Sequence, residues 1–194
     1  MNIVNNPHGI LVFGASGSGT TTLGRELARL LNFEHHDIDD YFWEKTDPPF
    51  TQERPHDGRI VLLKSSLKNN FILSGCIREW GGVVDPMLSM AVFLKTPTDL
   101  RMERLEKREF NRYGERIQPG GDLFDRHREF IEYGATYDIG GMETRSLASQ
   151  CAWAKTLTCP VIDASGADDF RKTAVVVVEF FRECIELGQM EELK

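Results

Sequence analysis

The sequence predicts an α/β protein with a five-stranded parallel sheet and helices on both faces. Three observations carry that reading. Short apolar runs alternate with helical patterns from end to end. The first run passes through a glycine-rich turn directly into an amphipathic stretch. No repeat, low-complexity tract or linker breaks the rhythm, so the 194 residues fit one domain, residues 1–194.

Each element has its own signal. Gly9-Ile-Leu-Val-Phe13 reads as a buried first strand, and Leu23, Leu27, Leu30 and Leu31 at helical spacing predict a helix over 20–31. A short second strand ends near His36-Asp37. The aromatic, proline-containing stretch 41–55 predicts an irregular excursion, followed by a helix over 56–69. Phe71-Ile-Leu73 and Ala91-Val-Phe-Leu94 are the third and fourth strands, and Pro97 opens a charged helix to about Glu109. Gly114, Pro119, Gly120 and Gly121 break regular structure in 111–135, which makes this segment the natural moving lid. A helix over 142–155 and a fifth strand at Pro160-Val-Ile-Asp163 follow. The last helix sets Phe170, Ala174, Val177, Val178, Phe181 and Ile185 on one face.

Composition narrows the class. With 23 basic and 30 acidic side chains the net charge is −7, which argues against duplex nucleic acid as a partner. No apolar run approaches the roughly 20 residues that span a bilayer, and no basic-then-apolar leader opens the chain. The expectation is a cytoplasmic protein with no membrane partner. Four cysteines without a CxxC pair point to a reducing compartment rather than a zinc site or a disulfide framework. Seven of the fifteen arginines fall within residues 101–128. Such an island in an acidic chain suits either a local anion site or a solvated helix laced with ion pairs.

The strongest local signal is Gly14-Ala-Ser-Gly-Ser-Gly19-Thr20-Thr21, between a strand and a helix. Glycines here let successive backbone N–H groups surround phosphate oxygens at a helix N-terminus. The pattern is GxxxxGK[ST] with Thr20 in place of the lysine, while Thr21 keeps the hydroxyl that ligates Mg²⁺. Gly14, Ala15, Ser16, Gly17, Ser18, Gly19, Thr20 and Thr21 are therefore the predicted nucleotide-binding residues. The lysine delivers a full charge to the β- and γ-phosphates. Removing one such contact from a transition state costs about 3–4 kcal/mol, or two to three decades in rate. Either another cation fills the gap, Arg108 first among the candidates, or the protein binds nucleotide without efficient turnover.

At these residues the chain resembles the P-loop small-molecule kinases, the group of adenylate kinase, other nucleoside monophosphate kinases and shikimate kinase. Gly17-Ser-Gly-Thr-Thr-Thr-Leu-Gly-Arg-Glu-Leu-Ala28 is similar to the shikimate kinase opening GxGKSTxGRxLA, apart from the lysine. It is similar also to a bacterial subgroup of adenylate-kinase-like proteins carrying GTTT. The resemblance implies a three-layer P-loop kinase fold with a lid at about 109–135 and an acceptor-site excursion at about 40–59.

It also implies roles. Asp37-Ile-Asp39 resembles the DxD of shikimate-kinase-like proteins, so Asp37 would organise Mg²⁺ together with Thr21, Asp39 or Asp40 would position the substrate, and Asp39 would orient the acceptor hydroxyl as base. Gly75 and Arg78 match part of the DGxPR segment of monophosphate kinases, where Arg78 would grip an acceptor anion. Arg104-Leu-Glu-Lys-Arg108 resembles the RxxxR leading into adenylate kinase lids, which puts Arg104 over the base and Arg108 on phosphate as a catalytic residue. Arg126, His127 and Arg128 resemble the returning lid arginines, and Asp163-Ala-Ser-Gly166 the loop against the adenine. Trp43 and its aromatic neighbours either stack on an acceptor or fill the core beneath the excursion, and Arg54 would pair with an acid group. ATP and Mg²⁺ are thus the implied cofactors, with a small-molecule acceptor and a monomer or simple homodimer. Two readings stay open: an ATP-dependent phosphotransferase with its substrate unassigned, or a nucleotide-binding protein with little or no kinase activity.

Overall fold

A computed structural model of the chain describes residues 7–78 and 80–192. Its five strands are β1 Gly9–Gly14, β2 Glu34–Asp37, β3 Phe71–Ser74, β4 Leu88–Lys95 and β5 Val161–Ser165. They form one sheet in the order β2-β3-β1-β4-β5, every pairing parallel. All six residues of β1 are buried, as a central strand covered on both faces requires.

Alternation along the strands divides the core. Leu11, Phe13, Leu73 and Phe93 face α3, His56–Ser66, and the short helices near it. Ile10, Val12, Ile72 and Val92 face α1, Thr20–Leu31, and α7, Phe170–Glu192, whose Ala174, Val177, Val178 and Phe181 are the buried face that the spacing predicts. Each such apolar side chain contributes about 1.5–3 kcal/mol by leaving water. The architecture is the three-layer α/β arrangement read from the sequence.

The differences lie in boundaries, and each has a cause. α2, Ile38–Phe42, is a helical turn at the start of the excursion, begun where the Asp37 carboxylate accepts from the Asp39 N–H. Beyond it the chain stays irregular to Pro55, tied by a bridge between Trp43 and Glu53 and by hydrogen bonds such as Glu44 N–H to the Gln52 carbonyl. α4, Thr98–Tyr113, runs a turn past Glu109, so the break in the lid narrows to the stretch before α5, Phe124–Ala135. The helix expected over 142–155 is α6, Leu147–Ala154, which starts late because Ser146 and Ser149 form a reciprocal capping box. Among the described residues no helix is long and apolar enough to cross a membrane.

Parallel strands collect their C-terminal ends along one edge of the sheet. The loop after β1, Asp37 at the end of β2 and Gly75 after β3 therefore meet, where ligands bind in open α/β sheets.

Candidate active site

The loop between β1 and α1 is shaped by backbone. Gly17 stands at φ +81°, and a Cβ there would come within 2.6 Å of the Arg101 carbonyl oxygen. Only glycine meets both demands. α1 begins on Gly19, which has no side chain to cap it, and no acidic residue occupies its first turn. Among the described residues, no carbonyl accepts from the N–H of Gly17, Gly19, Thr20 or Thr21, and the buried Ser18 hydroxyl has no partner. A cluster of unmet donors at a helix N-terminus is a site for an anion.

Across the loop mouth, the Thr21 hydroxyl donates to Asp37 Oδ2 at 2.8 Å. These two hard oxygen groups fit Mg²⁺ shared with phosphate oxygens, since such ions take few protein ligands and keep waters and substrate oxygens. Among the described residues no cluster of three or more metal-ligating side chains exists, so the protein alone offers no closed cage.

Ala15, Thr20 and Thr21 open onto a cavity of about 450 Å³ together with Asp37, Asp39 and Arg108. Gly75, Arg78, Trp43, Arg126 and His127 line the same cavity. Gly75 is held at φ +123° with its Cα against Ile38, where a Cβ would sit 2.2 Å from Ile38 Cγ2. That close approach lets the end of β3 pass the start of α2. The Asp39 carboxyl is pushed above its ordinary value, first by the surrounding protein and then by the negative charge of Asp37, against Arg145, Arg108 and Arg112. Its side chain remains open to the cavity, whose water tempers the effect.

Arg104 and Arg108 share one face of α4 but open onto different spaces. Arg108 lines the large cavity, with its Nε on Glu109 at 3.2 Å. Arg104 lines a second cavity, of about 240 Å³, on the other side of the loop with Ser18, Gly19 and Phe170, and donates to the Gly166 carbonyl at 2.9 Å. Asp163 lies within β5 and bonds Lys95 at 2.7 Å.

Two expected acceptor ligands stand outside the large cavity. Arg54 donates to the Tyr41 carbonyl at 2.7 Å and to Glu44 at 3.2 Å, which clasps the excursion to itself. Arg128 is exposed and pairs with Asp125 at 3.4 Å. His35 and His36 are half-buried against Ser74 and Tyr41, as packing residues would be.

Sequence reasoning missed Arg145 and Arg112, both in the large cavity. Arg112 continues the Arg104, Arg108 series by one more turn, a signal hidden once the helix was ended at Glu109. Arg145 carries no motif. The serine pair at 146 and 149 marks the true helix start and leaves Arg145 just ahead of it, free to reach the loop.

A glycine-rich loop between a central parallel strand and its helix, with the Asp37 and Asp39 carboxylates on the same cavity, is the arrangement of the P-loop small-molecule kinase fold. Solved structures agree. A shikimate kinase from Acinetobacter baumannii superposes with a TM-score of 0.54 at 18% identity, over 92% of this chain and 94% of that one. The shikimate kinase from Bacteroides thetaiotaomicron gives 0.50 at 20%, over 90% and 98%. The chain belongs to the AAA domain family, which matches residues 10–119. The uncharacterized protein YqaC of Bacillus subtilis (strain 168) is 41% identical over 155 residues, covering 79% of this chain and 85% of that protein.

Proposed function

We propose that the protein is an ATP-dependent phosphotransferase acting on a small molecule. The observation that carries the reading is the 2.8 Å hydrogen bond from Thr21 to Asp37, which sets the phosphate loop and the acceptor-side carboxylates at one cavity. Phosphoryl transfer asks a protein chiefly for alignment and charge stabilisation. The loop amides supply donors for the polyphosphate. Mg²⁺, held by Thr21 and by Asp37 through water, would neutralise phosphate charge. Asp39 is placed to orient an acceptor hydroxyl and take its proton, for which a raised carboxyl is better matched than an ordinary one. Arg104, in the second cavity, serves the base.

The segment 109–135 acts as lid and 40–59 as acceptor pocket. In the large cavity Trp43, Phe50, Trp80 and Phe130 face a space that also holds Arg78, Arg112 and Arg126. Aromatic walls with guanidinium groups suit an acceptor with a flat or apolar face and an anionic group.

The test is purified protein with ATP and Mg²⁺ against panels of nucleosides, monophosphates, hydroxy acids and sugars. The expected result is ADP formation that needs an acceptor and falls at least about 100-fold in Asp37→Asn and Arg108→Ala. Tight ATP binding with no product across the panel would establish the other reading, a nucleotide-binding protein without transfer.

A further inference from the structure

Thr20 leaves the phosphate loop without its own cation, yet a guanidinium is fixed at the loop's base. Arg145 Nη2 donates to the Gly14 carbonyl at 2.8 Å, and Gln150 Nε2 approaches the same oxygen at 3.4 Å. Arg145 lines the large cavity beside Ala15, Ser16, Thr20 and Thr21. Its buried Nε has no partner, and among the described residues it forms no ion pair. The backbone beside it is clamped on both sides. Ser149 Oγ donates to the Thr144 carbonyl at 2.7 Å, the Ser146 N–H donates to Ser149 Oγ at 3.0 Å, and Ser146 Oγ donates to the Gly141 carbonyl at 2.7 Å. Gln150 is held in turn by the Tyr137 hydroxyl.

Arg108, the cation expected from sequence, is placed differently. Its side chain is 44% exposed and shares Glu109 with Arg112, at 3.2 and 3.3 Å, so much of its charge is answered within its own helix. The contrast decides which arginine is preorganised. A charge already held in position at a partly desolvated loop loses little freedom when phosphate arrives, and it is weakly screened.

We propose that Arg145 supplies the positive charge that Thr20 does not, reaching the terminal phosphates of the bound nucleotide from the base of the loop at Gly14. The proposal rests on the nucleotide-binding part of the function proposed above and not on transfer to an acceptor. A guanidinium tied to Gly14 contacts phosphate with its remaining N–H groups while keeping the loop carbonyl satisfied. The substitution at position 20 is then a relocation of charge rather than a loss.

Titration calorimetry with Mg²⁺ and AMPPNP, a non-transferable ATP analogue, tests this on four proteins: wild type, Arg145→Gln, Thr20→Lys and the double variant. Glutamine keeps a polar N–H and removes the charge, and its shorter chain also gives up the Nη2 contact to the Gly14 carbonyl. Arg145→Gln should bind at least about tenfold more weakly than wild type, and Thr20→Lys in that background should recover affinity to within about threefold. Because a lysine at position 20 meets the phosphates in any background, compensation is read from the cycle. Thr20→Lys should raise affinity more in the Arg145→Gln background than in wild type, and an equal gain in both overturns the proposal. Equal affinity of Arg145→Gln and wild type, or a double variant as weak as the single one, overturns the proposal. If Arg145→Gln does not fold, Arg145→Lys takes its place. It should weaken binding through its shorter reach and be repaired by Thr20→Lys, and absence of repair overturns the proposal equally. A wild type that fails to bind AMPPNP sinks the nucleotide reading itself, an outcome distinct from one in which only the variants disagree.

Discussion

The two ends of the large cavity are made differently. At the phosphate end, the ligand-facing groups are backbone amides of a single loop, shaped by Gly17 and left uncapped at Gly19. At the acceptor end they are side chains from separate segments, held by contacts far apart in sequence. The Tyr113 hydroxyl donates to the Pro49 carbonyl at 3.0 Å, the Arg112 guanidinium lies 4.3 Å from the Phe50 ring centroid, and Arg126 donates to the Phe50 carbonyl. A site written in backbone needs only local sequence to form. One written in side chains needs the whole fold and can be re-cut without disturbing the loop.

Arg101 ties the loop to the start of α4 and to the chain at Gly134 and Asp138, and its removal should have the largest effect. It is fully buried, with Nε on the Thr96 carbonyl at 3.2 Å and Nη1 on the Gly134 carbonyl at 3.1 Å. Nη1 also reaches the Ser16 carbonyl of the loop at 3.5 Å, and Nη2 meets Thr98 at 2.9 Å and Asp138 at 3.4 Å. Loop, lid return and the start of α4 thus share one guanidinium. Arg101→Met keeps the bulk and strands those acceptors, which should lower stability by about 2–4 kcal/mol in urea denaturation, with Arg101→Lys between it and wild type. A loss below about 1 kcal/mol would mean that these shared hydrogen bonds contribute little to holding the loop against α4.

A smaller change should separate the ends rather than loosen both. Arg112→Ala removes the guanidinium from the Phe50 ring, a contact worth about 0.5–2 kcal/mol. Phe50 itself stands at φ +60°, a conformation that surrounding contacts must hold. Amide exchange at Phe50 and Thr51 and across residues 114–123 in the AMPPNP complex should quicken by about threefold to tenfold, while AMPPNP affinity stays within twofold. Equal loss of protection and of nucleotide affinity would contradict the division drawn above.

Legibility follows the same line. The glycine spacing, the apolar runs and the carboxylates after β2 are short-range features, and from them the sheet, α1, the phosphate loop and the Thr21–Asp37 meeting could be read. Arg54 shows the limit. Its place between a proline-rich stretch and a helix suggested an acceptor ligand, but three nearby acceptors, the Asp40 and Tyr41 carbonyls and Glu44, take its guanidinium first. Arg145 shows the converse. Its partner, Gly14, lies 131 residues away, so no local pattern could announce it. The helix boundary was the one clue, and a capping box of two serines is weaker than the Ser/Thr-x-x-Glu form.

The gentlest test concerns Asp39, where the acceptor end carries a strained charge. Its carboxyl is raised above the ordinary 3.8, first by the surrounding protein and then by Asp37. A group raised on folding holds its proton better in the native state than in the unfolded chain. Its contribution is therefore full below the unfolded value and is lost as pH climbs through the folded one. At neutral pH the ionised carboxylate works against the fold. Asp39→Asn should accordingly raise the melting temperature at pH 7, by an amount that shrinks as the pH is lowered toward 4, where the native carboxyl regains its proton. Asp37→Asn, by removing the second cause, should reduce the gain available from Asp39→Asn. Transfer activity should fall in both variants, so stability and function would move in opposite directions at this end of the cavity. A gain that does not change with pH, or a loss at pH 7, would show that Asp39 carries no such strain and that the raised carboxyl cannot be what fits it to accept a proton.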